Sequence, residues 1–298
     1  MEIQARKPKT TDGLAILMFM LPAVIPLVVF WIYPMLESLR ISATNWDYMS
    51  PEYRYVGLSN YTDLLGDSAF HRVLANTLYF CAGTSILSLL AGLILALLLF
   101  RLGRGEGLFR SVLFLPWITP AIAVSIVWVW IFNPETGFAN FLLTLAGIPA
   151  LPWIESSVWA MPSVIILSVW KYAGYNMIFF LAAMYKVPEQ LYEAGAIDGV
   201  NPLRKLFHIT LPAISPTTFF LIIINLITCM QAYDQILILT QGGPAGSTRT
   251  VLFYYFQLAF SQFNMGQATA TATILILITA ALAGANFYIS KKWVNYGD

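Results

Sequence analysis

The sequence predicts an all-α, polytopic membrane protein with six transmembrane helices. The 298 residues are 58% hydrophobic and only 10% charged, with a mean hydropathy of +0.71, whereas soluble domains carry about 25% charged residues. Six apolar stretches approach or exceed the roughly 20 residues that a helix needs to cross the hydrocarbon core. Apolar and polar residues do not alternate with the period of two that is typical of a membrane β-barrel.

The six expected spans form a single transmembrane domain that covers residues 1–298. The first span contains Pro22 and Pro26, which a membrane helix tolerates where neighbouring groups satisfy the freed carbonyls. In the last span, small residues recur from Gly266 to Ala272 and predict close helix packing. The expected spans are residues 14–33, 74–100, 112–132, 159–184, 213–240 and 266–290.

Basic residues are concentrated on one side of these spans. An even number of spans places both termini on that side, and short loops rich in Lys and Arg mark the cytoplasm. We therefore expect cytoplasmic termini. The apolar run behind the basic N-terminus continues to Tyr33 without a small-residue cleavage site, which favours a retained first span over a signal peptide. The basic residues of this side are Arg6, Lys7, Lys9, Arg101, Arg104, Arg110, Lys186, Arg204, Lys205, Lys291 and Lys292.

The outer side has longer connections that are rich in aromatic residues. The segment from Glu37 to His71 is consistent with two interpretations: an aromatic belt at headgroup depth, or an outer cap that meets a partner protein. A second outer loop begins with Gln241-Gly242-Gly243-Pro244, which is a turn signal. The aromatic residues of the first segment are Trp46, Tyr48, Tyr53, Tyr55 and Tyr61.

Several classes of function find no support in the composition. The net charge of +1 gives no indication of a nucleic acid partner. Cys81 and Cys229 both lie inside apolar runs, so no disulfide framework is implied. His71 and His208 lie far apart in the sequence and suggest no metal site.

The connection between the fourth and fifth spans, residues 186–212, contains several residues that typically start or end helices. Pro188 suits the first position of a short helix, and Gly199 suits the left-handed residue just past its end. Asn201-Pro202 predicts the cap and first residue of a second helix. Leu211-Pro212 would mark the turn into the fifth span.

The same loop offers groups that suit a docking surface. Small residues at Ala194, Gly195 and Ala196 let another backbone approach closely, and Glu193 and Asp198 offer charge-assisted hydrogen bonds to a basic partner. The alternative is a solvated helix-turn-helix at the membrane interface. The residues themselves leave both interpretations open.

The run Glu193-Ala194-Gly195-Ala196-Ile197-Asp198-Gly199 resembles the EAA loop of permease subunits in binding-protein-dependent ABC importers. The likeness continues downstream with Phe207, Ile209, Leu211, Pro212 and Pro216. The third residue of the family's triplet is usually Ala and is Gly195 here. Other segments resemble the carbohydrate-importer branch and extend the likeness from the first span to the last. These are Gly57-Leu58-Ser59-Asn60-Tyr61, Asn76-Thr77, Asn133-Pro134 and Gly242-Gly243-Pro244.

The resemblance implies the fold of a type I ABC importer permease, in which the EAA loop is a coupling helix seated in a groove of a cytoplasmic ATPase. It also implies a second homologous permease, two ATPase subunits and an extracytoplasmic solute-binding protein. The chain lacks a G-x-x-x-x-G-K-[ST] loop. ATP and Mg²⁺ are therefore expected on the partner ATPase, with no cofactor on this chain and no catalytic role. The coupling residues would be Glu193, Ala194, Gly195, Asp198, Gly199, Leu211 and Pro212.

Polar residues inside the spans are candidates for substrate contact, because they are costly in lipid. In the fifth span, Asn225, Thr228, Gln231 and Gln235 are expected to share one half of a helix, with Asp234 at its edge. Amides can match the donor and acceptor pairs of sugar hydroxyl groups, and aromatic rings can stack on sugar faces. The alternative is hydrogen bonding between packed helices. A comparable cluster in the fourth span contains Trp170, Lys171, Tyr172, Tyr175 and Asn176.

Lys171 lies well inside its expected span. A pair with Asp234 is the preferred interpretation; snorkelling outward and contact with an anionic substrate group are the alternatives.

The leading hypothesis is one half of the membrane pore of an ATP-driven sugar importer in the cytoplasmic membrane. A related hypothesis replaces the sugar by glycerol phosphate or another polyol phosphate, with Lys171 and Arg249 available to an anion. An ion-coupled carrier is less favoured because no internal repeat is evident and only Lys171 and Asp234 are ionisable within the spans. A membrane-embedded enzyme is also disfavoured, because the spans hold no catalytic or metal-ligand cluster.

Overall fold

The computed structural model describes residues 10–50, 52–100, 102 and 105–294, with side chains described from residue 18 onward. Arg6, Lys7, Lys9, Arg101 and Arg104, used above for orientation, lie outside these residues. Within the described ranges the chain is helical and contains no β-strand, apart from one isolated bridge between Thr44 and Tyr55. The predicted all-α class is confirmed. The α-helices are α1 Thr10–Leu27, α2 Tyr33–Ile41, α3 Ser59–Gly66, α4 Ser68–Phe100, α5 Glu106–Ile118, α6 Ala121–Ile131, α7 Phe138–Leu145, α8 Ala160–Met184, α9 Glu189–Ile197, α10 Pro202–Lys205, α11 Leu211–Ala213, α12 Ser215–Met230, α13 Asp234–Leu239, α14 Val251–Phe256 and α15 Met265–Ser290.

Among the described residues, four helices are long and apolar enough to cross a membrane, and two bent helix pairs bring the total to as many as six spans. The first span extends beyond the expected end at Tyr33. A π-helical turn at Val28–Ile32 joins α1 to α2, so the helix continues to Ile41. In the most apolar part of Met18–Ile41, no residue is buried within the chain.

The third expected span is two helices, α5 and α6, bent by 97°. Pro116 lies inside α5 and cannot donate a backbone hydrogen bond. Thr119 precedes Pro120 and takes an extended conformation with ψ 135°, because proline disfavours the helical region for the residue before it. Two prolines four residues apart therefore break this span.

The fifth expected span is also broken, and its predicted extent to residue 240 is wrong. The chain bends by 69° between Pro202–Ala213 and α12, and α12 then ends at Met230. Tyr233 leaves the helical region with φ −137° and packs its ring 4.8 Å from that of Phe256. A separate short helix, α13, follows, and it packs against α6.

The centre of the molecule is the pair α4 and α8, which pack along their length. Gly92 on α4 faces α8 so closely that an added Cβ would lie 2.5 Å from the Cβ of Asn176. On another face of α8, a Cβ added to Gly174 would lie 1.8 Å from the carbonyl oxygen of Leu113 on α5. The two glycines hold three spans in direct backbone contact.

The last span packs closely at its start, as its small residues predict. Gly266 donates its N–H to the carbonyl oxygen of Trp46 at 3.1 Å, and a Cβ there would lie 2.1 Å from the carbonyl oxygen of Thr44. Ala268 and Ala270 are fully buried. This end of α15 thereby anchors the connection between the first and second spans.

That connection is an ordered hairpin with aromatic residues on its surface. Arg40 is hydrogen-bonded to Glu37, donates to the hydroxyl of Tyr53 at 2.7 Å and lies over the ring of the same residue. Tyr48 is 60% exposed. Both an interfacial belt and a cap for a partner protein remain compatible with this surface.

Replacing Gly174 by Ala tests the contact between α5 and α8. The new methyl group would force the two backbones apart, and overpacking of this kind costs about 1–3 kcal/mol or more. We expect a clearly lower Tm in detergent. Gly284→Ala is the control, because nothing lies within 4 Å of that Cβ, and its Tm should hold or rise slightly. An equal Tm for both variants would contradict this packing.

Candidate functional site

The loop of residues 186–212 folds as a helical hairpin, and its helices begin and end close to the residues that the sequence predicts. Pro188 is the residue before α9, with φ −56° and ψ 130°, so the helix begins at Glu189, one residue later than predicted. Gly199 has φ +67° just past its end, as predicted. Asn201 accepts a hydrogen bond from the backbone N–H of Arg204 at 2.8 Å and so caps α10. The bend into the fifth span falls at Ile214, immediately after α11, the helix that contains Leu211 and Pro212.

The two arms of the hairpin are fastened to each other. Tyr192 is within hydrogen-bond distance of Thr210, hydroxyl to hydroxyl, at 3.1 Å. The ammonium group of Lys205 donates to the carbonyl oxygen of Tyr192 at 3.3 Å. Gly195 is buried, and a Cβ there would lie 3.1 Å from Cδ1 of Ile209. Gly195 therefore serves the packing of the hairpin itself, and the surface left for a partner is formed by its neighbours.

The exposed surface of the hairpin combines acids with large apolar side chains. Glu193, Ala194 and Asp198 are exposed, and neither acid forms an ion pair in the part of the chain that the structure describes. Ile197 is 87% exposed, although it sits between these acidic residues and Gly199. A cavity of about 690 Å³ beside it is lined by Leu191, Ala194, Gly195, Asp198, Val200, Arg204, His208 and Ile209.

Sequence reasoning missed the apolar part of this surface. Leu203 is 68% and Phe207 60% exposed, and both follow Ile197 on the second arm. The available signal was the presence of three large apolar residues in a polar loop outside the spans. Such residues mark an interaction surface when they group together.

A second candidate region lies within the spans, at the points where the third span and the distal part of the fifth span lose their helical structure. The break of the third span at Thr119–Pro120 and the break of the fifth at residues 231–233 are joined through the contact of α6 with α13. Discontinuous membrane helices commonly surround binding sites near the midplane, because irregular backbone is tolerated where it lines a cavity. We call residues 116–120 and 231–235, with the facing part of α8, the break layer.

Lys171 is the charged centre of the break layer. It is 9% exposed, and its ammonium group donates to the carbonyl oxygens of Pro116 at 3.0 Å, Trp117 at 3.4 Å and Thr119 at 2.5 Å. Among the described residues it forms no ion pair with Asp234. The charge of Asp234 acts on Lys171 without a direct contact. The direct partners of Lys171 are three carbonyls of the bent span that lack helical N–H partners.

Asn176 and Asn225 hold the helices together. Asn225 donates Nδ2 to Oδ1 of Asn176 at 2.8 Å, and Ser88 donates its hydroxyl to Oδ1 of Asn225 at 3.1 Å. The two amides are 0% and 4% exposed. In this conformation they lie away from any open surface, which favours the alternative of hydrogen bonding between packed helices over contact with a solute.

The remaining candidates of the fifth span do not share one helical face, because α12 ends before Gln231. Thr228 donates its hydroxyl to the carbonyl of Ile224 at 2.8 Å, and Gln235 is buried. Gln231 is exposed and Asp234 is partly exposed. Of this set, Gln231 and Asp234 remain open to a solute.

Aromatic rings line the break layer on the α8 side. Tyr175 is partly exposed, and its ring centroid lies 4.3 Å from that of Trp117. Trp170 is 43% exposed, with its ring 5.6 Å from that of Trp128. Trp117 and Trp128 were missed from the sequence, because only the bend brings the third span against these rings. Surfaces of this kind suit the apolar faces of sugar rings.

Comparison with known proteins agrees with this architecture. The family model described as "Binding-protein-dependent transport system inner membrane component" matches residues 88–295. The chain belongs to this family. It is therefore an inner-membrane permease of the ABC importer type, as the EAA resemblance indicates.

The relatives cover nearly the whole chain. The probable ABC transporter permease protein YurN of Bacillus subtilis is 32% identical over 270 residues, covering 89% of this chain and 92% of the relative. The sn-glycerol-3-phosphate transport system permease protein UgpA of Agrobacterium fabrum is 32% identical over 278 residues, covering 93% and 94%.

Solved structures show the same fold. A chain of a bacterial ABC transporter involved in the import of the acidic polysaccharide alginate superposes with a TM-score of 0.81 at 23% identity, covering 96% of this chain and 97% of that one. A chain of the MetNI methionine ABC transporter gives a TM-score of 0.54 at 18% identity, covering 75% and 95%. The predicted type I importer fold is confirmed.

Lys171→Met tests whether the ammonium group stabilises the bend. The variant leaves three carbonyls unsatisfied in a dry environment, and we expect a loss of about 1–3 kcal/mol, seen as a lower Tm. Lys186→Met is the matched control, because Lys186 is exposed and lies outside the spans. A Tm that falls no further in Lys171→Met than in the control would refute this role.

Asn225→Leu and Gln231→Leu separate packing from solute contact. Asn225→Leu should lower stability, and a double-mutant cycle with Asn176→Leu should give a coupling of about 0.6 kcal/mol. Gln231→Leu should leave Tm unchanged and alter uptake kinetics. Zero coupling in the cycle, or unchanged uptake in Gln231→Leu, would contradict the respective assignment.

Proposed function

We propose that this chain is a transmembrane subunit of an ATP-driven importer and that the hairpin of residues 186–212 docks on a separate ATPase. The observation that carries the proposal is the exposure of three large apolar side chains in one hairpin, Ile197, Leu203 and Phe207. The hairpin also exposes the acids Glu193 and Asp198, which form no ion pair within the described residues. A fully exposed isoleucine is unfavourable in water and favourable in a protein groove. The acids would pair with basic groups at the rim of that groove.

The hairpin is well placed to transmit motion into the membrane. It is joined directly to the inner ends of α8 and α12. Helix α8 in turn holds α5 through Gly174 and Lys171. A pull on the hairpin would therefore move the break layer as well, because these helices are fastened by backbone contact and hydrogen bonds. ATP and Mg²⁺ belong to the partner ATPase in this scheme.

Further partners complete the assembly. The most apolar part of Met18–Ile41 has no residue buried against its own chain, which supports contact with lipid and with a second homologous permease. Two ATPase copies would serve the two permeases. A solved alginate transporter of this fold is in complex with a periplasmic protein, and an extracytoplasmic solute-binding protein is proposed here by analogy. The basic residues on the hairpin side support the proposal that both termini are cytoplasmic.

The proposed solute is a sugar or oligosaccharide. The support is the aromatic lining at Trp170 and Tyr175, together with the exposed amide of Gln231 and the carboxylate of Asp234. The second candidate is a polyol phosphate, which the name of the UgpA relative favours. Lys171 is committed to backbone carbonyls, so it does not supply a cation for a phosphate at the midplane.

Ile197→Asp tests the docking role. A buried apolar anchor at an interface is worth about 2–4 kcal/mol, so we expect a loss of ATPase binding of at least about tenfold and a matching loss of uptake. Copurification of the ATPase and transport in proteoliposomes measure the two effects. Ile148→Asp is the control, because that residue is 48% exposed in the loop after α7. Normal uptake by Ile197→Asp would refute the proposal.

A further inference from the structure

The loop that connects α13 to α14, residues 240–250, is held by several hydrogen bonds. It has no part in the proposed docking of the hairpin on an ATPase. Thr248 is fully buried, and its hydroxyl donates to the carbonyl oxygen of Gly243 at 2.9 Å. Asn76 on α4 donates Nδ2 to the carbonyl oxygens of Gly246 at 2.9 Å and Arg249 at 3.2 Å. The loop is thereby fixed both to itself and to the second span.

Two polar atoms of this loop are buried without a hydrogen-bond partner: Oγ of Ser247 and Nε of Arg249. Across the part of the chain that the structure describes, only one further side-chain atom shares this condition, Oγ1 of Thr84. Buried polar groups are paired in the great majority of cases, and an exception needs an explanation. Here two exceptions lie two residues apart in one loop.

The guanidinium group of Arg249 also lacks a counter-ion. The two ion pairs found among the described residues involve Arg40 and Arg110 instead. Asp67 is the carboxylate that shares the neighbourhood, since it and Arg249 both act on the hydroxyl of Tyr254. Its Oδ1, however, accepts the backbone N–H of Ala69 at 2.8 Å. In the described part of the chain no carboxylate forms an ion pair with Arg249, although the charge of Asp67 acts in the same neighbourhood.

We propose that Arg249 and Ser247 bind a small-molecule oxyanion, a carboxylate or a phosphate group. A guanidinium group presents parallel N–H donors that match two oxygens of such an anion. The hydroxyl of Ser247 supplies a further donor. The loop lies on the opposite side of the fifth span from the coupling hairpin, so the anion is bound at the far mouth of the membrane domain.

Arginine modification by phenylglyoxal, with inorganic phosphate as the probe, tests this site in the full-length chain in lipid nanodiscs. Mass spectrometry of the resulting peptides reports each arginine separately. We expect phosphate to slow modification of Arg249 saturably, by about threefold or more, because two N–H donors are covered by the anion. Arg54 and Arg72 are exposed and serve as internal controls whose rates should not change.

Ser247→Ala supplies the second readout. The variant should keep the rate of Arg249 modification without phosphate, and it should need several-fold more phosphate for the same protection, because a donor to the anion is lost. Ser59→Ala, at an exposed position, should behave like the parent chain.

Three results would overturn the proposal: no protection of Arg249, equal protection of all three arginines, or protection by an added solute-binding protein but not by phosphate. The last result would assign Arg249 to a protein contact. Neither transport nor ATP hydrolysis enters the measurement, so its failure leaves the coupling proposal untouched.

Discussion

Pro116 and Pro120 introduce the bend of the third span, and one interaction stabilises it: the ammonium group of Lys171 against the carbonyls of Pro116, Trp117 and Thr119. Bilayer interiors offer no water to satisfy carbonyls that a broken helix releases, and each one left unpaired is costly. A single lysine with three donors satisfies them from the neighbouring helix. The cost of burying the cation is offset because it meets the negative end of α5.

This interaction explains why the membrane domain can act as a linked set of parts. Gly174 places the backbone of α8 directly on α5, and Gly92 places α4 on the other side of α8. The amides of Asn176 and Asn225 add α12 to the same group. The hairpin at residues 186–212 continues directly from α8. A displacement of the hairpin would therefore be passed to the helices that α8 contacts. The third and fifth spans are interrupted, and α6 packs against α13 next to these interruptions. We expect the helices to move relative to one another at these interruptions.

Much of this architecture follows from the sequence, and the omissions have identifiable causes. Apolar length predicts the number of spans, and Gly199 and Asn201 predict the ends of α9 and α10 because their backbone roles are local. The break at Thr119 was predictable in principle, since Pro116 and Pro120 stand four residues apart. The end of α12 at Met230 was not, because it depends on the packing of Tyr233 against Phe256, a residue on another helix.

The candidate site was likewise predicted only in part: its unusual residues could be identified from the sequence, but their roles could not. Hydropathy and residue type identify Lys171, Asn176 and Asn225 as unusual, but their roles depend on which groups face them. Lys171 meets carbonyls of a bent helix, and the two amides meet each other. Ile197 is conspicuous only once its exposure is known, because an isoleucine in a short helix is otherwise expected to be buried.

Cross-linking from Ala194 tests the central claim, that this hairpin docks on a separate ATPase. Ala194 is exposed beside Ile197, and the native cysteines Cys81 and Cys229 are buried, so Ala194→Cys adds one reactive thiol to the described surface. With a short bismaleimide in an assembly that transports, we expect a covalent product containing the ATPase subunit. Ala150→Cys, exposed in the loop before α8, should give none. A transporting assembly in which Ala194→Cys never captures the ATPase would contradict the claim.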